Sequence, residues 1–408
     1  MSKDFKTRPV CVPACACLPV RACLCEPACA CTHADRYARR QVRTQTGTHA
    51  DRQPACRANG AGRRTGRVVV AMSGGVDSSL AAALLKEEGY EVLGATMRLY
   101  EGDENLEAAQ QVAQKLEIPW YVLDFIKEFK KLVINYFCKE YLAGRTPNPC
   151  VICNLKIKFG LLLEKAKSLG ADYIATGHYA INEYDQKSKR FLLKRGIDEN
   201  KDQSYFLYRL NQDILPYVLF PLGRFKKSQS RELAKNFGLE NYEKKESQEI
   251  CFIREGDYRR FLRQNVSENI KPGKFIDKLG NILGAHQGIP FYTIGQRKGL
   301  GISSNTRKYV IKIDPQENTV ILSEEEDLYQ DKLIIKDLNF ISGDKLSDSI
   351  KVEVKIRYNS KKSPATISSY QDNKILINFE KPQRAITPGQ SAVFYQGDIV
   401  LGGGIINK

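Results

Sequence analysis

Long apolar runs are missing from this chain of 408 residues: no uninterrupted hydrophobic stretch approaches the ~18 residues that a membrane-spanning helix requires, so no span is expected. Histidine is scarce, with four in all, and only His178 and His286 lie beyond residue 66, too few to complete a zinc site readily. Acidic residues are also in deficit, 47 against 63 basic ones, which leaves a net charge of +16. Such an excess points to a polyanionic partner, and nucleic acid is the commonest. A hydrophobic fraction of 42% excludes wholesale disorder. At ~150 residues per domain the length admits two or three domains.

Residues 1–66 lack aliphatic periodicity and are dominated by Ala, Arg, Cys and Pro. Eight of the 12 cysteines (Cys11, Cys15, Cys17, Cys23, Cys25, Cys29, Cys31 and Cys56) and +8 of the net charge fall there. The string Thr32-His33-Ala34-Asp35-Arg36 recurs at Thr48-His49-Ala50-Asp51-Arg52. Alternating Ala-Cys spacings match no familiar zinc pattern, and a Ser-poor, Pro-broken stretch is a poor transit peptide. The segment is expected to be a low-complexity, disordered extension without a catalytic part.

From Arg67 onward strand and helix patterns alternate. Val68-Val69-Val70-Ala71-Met72 reads as a buried parallel strand, followed by an Ala/Leu-rich helix. Strands are predicted at 91–97, 120–125 and 172–176, with helices over 104–116, 129–142 and 155–169. Repeated βα units imply a doubly wound parallel sheet that binds ligands off the carboxyl ends of its strands. At the end of the first strand stands Ser73-Gly74-Gly75-Val76-Asp77-Ser78-Ser79. Its glycines allow a tight turn, the helix-start amides suit an anion, the serines add donors, and Asp77 is placed to hold Mg²⁺ beside pyrophosphate. The Gly-Lys-Ser/Thr ending of a Walker loop is missing. The string resembles the signature of PP-loop ATP pyrophosphatases, which implies ATP as cofactor and adenylation of an oxygen on a second substrate.

Four cysteines remain in the body. Cys138 lies in an apolar helical stretch and reads as a buried thiol. Cys150 and Cys153 open a helix after Thr146-Pro147-Asn148-Pro149, where the helix dipole, Lys156 and Lys158 favour a thiolate. Cys251 stands alone in Ile250-Cys251-Phe252-Ile253. Sulfur transfer needs one thiol to carry a persulfide and a second to resolve it as a disulfide. An adenylating domain joined to such a pair suggests replacement of an activated oxygen by sulfur.

From about Val68 to its end the chain resembles the tRNA-specific 2-thiouridylase (MnmA) family. The resemblance rests on Ala71–Ser78, Thr146–Pro149, Cys153-Asn154, Ala175-Thr176-Gly177-His178-Tyr179, Lys201-Asp202-Gln203-Ser204-Tyr205, Ile250–Ile253, Gly288–Arg297 and Pro388-Gly389-Gln390. It implies ATP held by Ala71, Met72, Ser73, Gly74, Gly75, Val76, Asp77 and Ser78, with Met97 and Gly177 near the adenosine. It also implies that O2 of the wobble uridine (U34) is adenylated, that Cys251 delivers persulfide sulfur, and that Cys153 is the partner nucleophile. Asn148, Pro149 and Cys150 would meet the target base, and His178, Lys201, Asp202, Gln203, Arg357, Tyr358 and Gln390 would contact tRNA. Implied partners are wobble-uridine tRNAs of the Lys, Glu and Gln type and a persulfide donor, either a cysteine desulfurase or a sulfur-relay protein. The implied setting is cytoplasmic, away from membranes. Many family members have Asp where this chain has Cys150, and Cys150, Cys153 and Cys251 together would suffice for an Fe–S cluster with one open iron, a second mechanism behind the relay.

The expected architecture is an α/β PP-loop domain over 67–255, a small central domain over 256–307 whose Arg259, Arg260, Lys274, Arg297 and Lys298 suit tRNA contact, and an antiparallel β-barrel over 308–408. The hairpin around Asp314–Asn318 is assigned to that barrel.

Overall fold

The computed structural model describes residues 66–102, 105–240, 250–253, 256–344, 346–371 and 373–407. The expectations for the N-terminal extension thus lie outside the described residues. All described residues belong to the compact unit His49–Lys408.

The first strand, β1 (Arg67–Ala71), has Val68, Val69 and Val70 essentially without exposure, as a strand covered on both faces must. It is followed by helix Val76–Glu87, β2 (Glu91–Arg98), helix Asn105–Lys115 and β3 (Trp120–Asp124). Two longer helices run over 126–142 and 149–168, each widened by a π-helical stretch, Lys130–Ile134 and Asn154–Leu161. The chain then forms β4 (Tyr173–Ala175), a hairpin of β5 (Ala180–Asp185) and β6 (Arg190–Arg195), and β7 (Val218–Leu219). Strands β1–β4 and β7 build a parallel sheet of order β3-β2-β1-β4-β7. Chain direction across the sheet reverses beside β1, so the crevice between the ends of β1 and β4 is the switch point where such sheets bind ligands.

A small sheet of order β10-β11-β8-β9 comprises β8 (Gly273–Ile276), β9 (Ile282–His286), β10 (Tyr309–Asp314) and β11 (Thr319–Ser323). Helix Tyr258–Val266 precedes it, capped by Asp257 accepting from the Arg259 and Arg260 amides. The β10–β11 hairpin therefore departs from the expected barrel assignment. It is alternating and antiparallel as predicted, but β11 pairs in parallel with β8, a long-range choice that local patterning does not encode.

The last six strands, β12 (Tyr329–Phe340), β13 (Ile350–Lys355), β14 (Ser363–Tyr370), β15 (Lys374–Arg384), β16 (Ser391–Gln396) and β17 (Ile399–Ile406), form an antiparallel barrel closed by pairing of β12 with β17. Its interior is filled by Leu333, Ile335, Val354, Ile367, Ile377, Phe394 and Ile406. Strand β6 joins the barrel sheet where Lys194 pairs with Ile399, so the α/β domain and the barrel share a sheet. Among the described residues no helix is long and apolar enough to cross a membrane.

Candidate active site

The phosphate loop lies at the switch point. Met72 is buried and its amide donates to Ala95 O at 2.8 Å, fixing the exit from β1 onto β2. The next turn is held by its own serines: Ser78 Oγ accepts from the Ser73 amide at 3.1 Å, and Ser78 Oγ and Ser79 Oγ both donate to Gly75 O. Gly75, in an extended conformation, precedes helix Val76–Glu87 and places no side chain over its first turn. An uncapped helix start beside an exposed Ser73 fits a phosphate group. Gly177, at the end of β4, abuts this loop so closely that a Cβ would stand 2.7 Å from the Asp77 carbonyl carbon. Met97, half-buried at the end of β2, packs against the cores on both sides.

Asp77 is paired within the protein. Lys227 Nζ donates to both of its carboxylate oxygens at 2.7 Å, and the Tyr179 hydroxyl donates to Oδ1 at 2.8 Å. Lys227 is buried, so its ammonium depends on this carboxylate for compensation. In this arrangement Asp77 anchors a lysine at the loop. Helix Lys227–Asn236 brings that lysine in, and the Lys227 amide donates to Asp198 Oδ2 at 2.9 Å.

The string 201–203 braces the same constellation. Gln203 pairs with Tyr179 twice, its amide donating to Tyr179 O and its Oε1 accepting from Tyr179 N. Asp202, 2% exposed, accepts from Arg195 Nε and from the amides of Gly196 and Ser204. The oxygens of Asp202 are thus spent inward, while Lys201 is half-buried on the turn after Asp198. His178 is buried against Phe159 and Phe220, with Nδ1 hydrogen-bonded to Thr176 Oγ1 at 2.7 Å. Burial, with the Lys158 ammonium adding to it, holds the ring well below its ordinary value, so the imidazole is neutral.

Cys150 and Cys153 open the helix over 149–168, with Pro149 at its first turn. Cys153 is 8% exposed, and burial pushes its thiol up to about 12, against the pull of Lys158; the neighbouring Cys251 and Cys150 push the same way. Burial also raises Cys150, again opposed by Lys158. Cys251 is exposed on the turn Ile250–Ile253, which Phe252 pins by packing its ring on Phe129, Phe137 and Phe261. Cys153 and Phe252 lie in one core, which brings an exposed thiol and a protected one to the same place. Among the described residues no cysteine is joined in a disulfide. Among the described residues no group of three or more His, Cys, Asp or Glu side chains is disposed to hold a metal ion, so Cys150, Cys153 and Cys251 as placed do not fit a cluster.

The remaining expected contacts sit where the barrel meets the Pro-rich loop. Arg357 donates to Ala385 O and to Thr387 Oγ1. Tyr358 packs on Phe206 with centroids 4.5 Å apart and ring planes tilted by 36°. Gln390 donates to Thr146 O at 3.1 Å, and Asn148 hydrogen-bonds the buried Tyr205. Pattern reading missed Lys227 altogether. Its signal was a lysine at the first position of a helix with no acid in its first turn, where the dipole disfavours a cation unless an anion compensates.

Comparison with known proteins agrees with this layout. A tRNA methyl transferase HUP domain family matches residues 66–255, a tRNA methyl transferase PRC-barrel domain family 259–324, and an aminomethyltransferase beta-barrel domain family 330–406. The second match includes β10 and β11, as the small sheet does. A protein named tRNA-specific 2-thiouridylase MnmA 1, from Caldanaerobacter subterraneus subsp. tengcongensis, is 53% identical over 356 residues, covering 84% of this chain and 98% of that protein. The tRNA-specific 2-thiouridylase MnmA of Acetivibrio thermocellus is 52% identical over 354 residues, covering 83% and 99%. That of Clostridium perfringens is 50% identical over 355 residues, covering 84% and 98%. With half of all positions shared across nearly the full length of each relative, the chain belongs to the tRNA-specific 2-thiouridylase (MnmA) family.

Proposed function

We propose that this protein is an ATP-dependent, cytoplasmic tRNA sulfurtransferase that converts the wobble uridine (U34) of Lys-, Glu- and Gln-type tRNAs to 2-thiouridine. The observation that carries the reading is the convergence of a phosphate loop at a sheet switch point with two thiols of opposite exposure in one adjoining core. ATP enters with Mg²⁺ on its phosphates, beside the Asp77–Lys227 pair. The loop amides and Lys227 hold the phosphates. O2 of the uridine attacks the α-phosphorus and pyrophosphate leaves, which turns a poor leaving oxygen into AMP. The terminal sulfur of a Cys251 persulfide, loaded by a desulfurase or relay protein at this exposed position, attacks C2 and AMP departs. The Cys153 thiolate then attacks the Cys251 sulfur, releasing 2-thiouridine and leaving a Cys153–Cys251 disulfide that an external thiol reduces. Burial keeps Cys153 protonated until that step, which limits premature oxidation.

The test is to incubate the full chain with ATP, Mg²⁺, a persulfide donor and unmodified tRNA, then assay nucleosides by mass spectrometry and iron in the same sample. The expected result is 2-thiouridine at position 34 without bound iron. Product that appears only in iron-loaded protein would replace the relay with cluster chemistry. No product from a verified persulfide supply would overturn the function. Cys153→Ser and Cys251→Ser are expected to abolish product while tRNA affinity stays within about tenfold, because neither thiol neutralises a phosphate. Parallel loss of affinity and activity would remove both thiols from the chemistry.

A further inference from the structure

The Pro-rich loop that carries Cys150 and Cys153 has little regular structure of its own before residue 149. Its position is instead written by one turn of the barrel, between β15 and β16. The Thr146 amide donates to Pro388 O at 2.9 Å, and Gln390 Nε2 donates back to Thr146 O at 3.1 Å, with Pro147 O at 3.5 Å. Gly389 lies flat on the same peptide: a Cβ there would stand 2.9–3.0 Å from Thr146 O, C and N. Two residues on, Asn148 hydrogen-bonds Tyr205, whose hydroxyl donates to Ser391 O at 2.9 Å. The turn is itself rigid. The Gly389 amide donates to Ile406 O and the Ile406 amide to Gln390 O, while Arg357 holds Ala385 O and Thr387 Oγ1. On the other side, Thr146 Oγ1 and Thr293 Oγ1 are 3.2 Å apart.

We propose that the barrel turn Thr387–Ser391 is the template that sets the position of the loop Thr146–Cys153, with Gln390 as its positioning residue. The amide of Gln390 faces the loop backbone and acts on the reaction through Cys153. The catalytic consequence rests on the role proposed for Cys153; the template itself does not. A misplacement of about 1 Å in a reacting group can cost on the order of 100-fold in rate.

Gln390→Ala removes the donor, and Gly389→Ala pushes the Thr146 peptide away without deleting any polar group that tRNA could use. Both are measured in the full chain, with melting temperature recorded. In each variant, kcat for thiolation is expected to fall roughly 10- to 100-fold with KM for tRNA within about threefold. In the absence of tRNA and ATP, alkylation of Cys153, read by peptide mass spectrometry, is expected to quicken severalfold, and its pH midpoint to move down toward that of an ordinary thiol. If Gly389→Ala does not fold, Gln390→Ala alone carries the test. Alkylation of Cys153 unchanged in a folded Gln390→Ala variant would overturn the proposal. So would loss of tRNA affinity in proportion to activity, because Gln390 would then be a tRNA contact. If Cys153→Ser retains activity while alkylation of wild-type Cys153 still responds to the turn, the template stands and the nucleophile reading alone falls.

Discussion

A buried lysine that donates to both oxygens of one carboxylate stands beside the loop proposed to hold the phosphates. Lys227→Ala leaves Asp77 beside the loop without its partner, so a carboxylate would face the incoming phosphates. Pyrophosphate release from ATP in the presence of tRNA is expected to drop by roughly 10²- to 10³-fold, with tRNA affinity unchanged in filter binding. The His178 ring makes a separate prediction. Its folded value lies below the ordinary 6.5 because it is buried, so the unfolded chain takes up a proton that the folded chain refuses. Stability from this site is present above about pH 6.5 and is lost as pH falls toward the folded value. The melting temperature should therefore fall between pH 7 and pH 5 by less in His178→Phe than in the parent. At this scale the sequence was informative where residues form strings, as in 73–79, and silent where one side chain reaches across the fold. Nothing near Lys227 names Asp77, 150 residues earlier. Asp202 shows what a motif does not spell out: its partners within the fold are the backbone and Arg195.

Elements were legible where periodicity is strong. The five-residue run from Arg67, the Ala/Leu helix and the alternation in 309–323 appear within a residue or two of expectation. The π-helical widenings at 130–134 and 154–161 were not legible, because they follow from packing on other elements rather than from local propensity. Strand β17 carries Gly402-Gly403-Gly404, where barrel closure brings neighbouring backbone so close that a Cβ at Gly404 would stand 2.7 Å from Lys336 O. The four-residue turn Ile250–Ile253 depends on one aromatic anchor. Phe252→Ala is expected to cost about 3–5 kcal/mol in urea unfolding and to slow disulfide formation between Cys153 and Cys251, followed by gel shift under a mild oxidant.

At the scale of the molecule, three sheets among the described residues divide the labour, and charge supplies the attraction to RNA. If six phosphates are neutralised, raising salt from 50 to 200 mM should weaken tRNA binding by about a thousandfold, while ATP binding measured without tRNA changes far less. The division into a parallel sheet, a small sheet and a barrel was legible in outline; the exchange of partners between them was not, since β6 pairs with β17 and β11 with β8 only after distant segments meet. That exchange sets an order of events during synthesis. By the time residue 240 leaves the ribosome the nucleotide loop, its lysine and the Pro-rich loop all exist, yet Thr146 has no Pro388 to bond and β6 has no β17 to join. At ~5–20 residues per second the chain spends roughly ten to thirty seconds with its nucleotide loop made and the Thr146 loop not yet bonded to the barrel turn. A nascent chain stalled near residue 300 is expected to protect β1 and β4 from proteolysis while leaving the Cys150–Cys153 segment open to cleavage. If the turn seats the loop as proposed, the translational clock makes sulfur transfer the last capacity this polypeptide acquires.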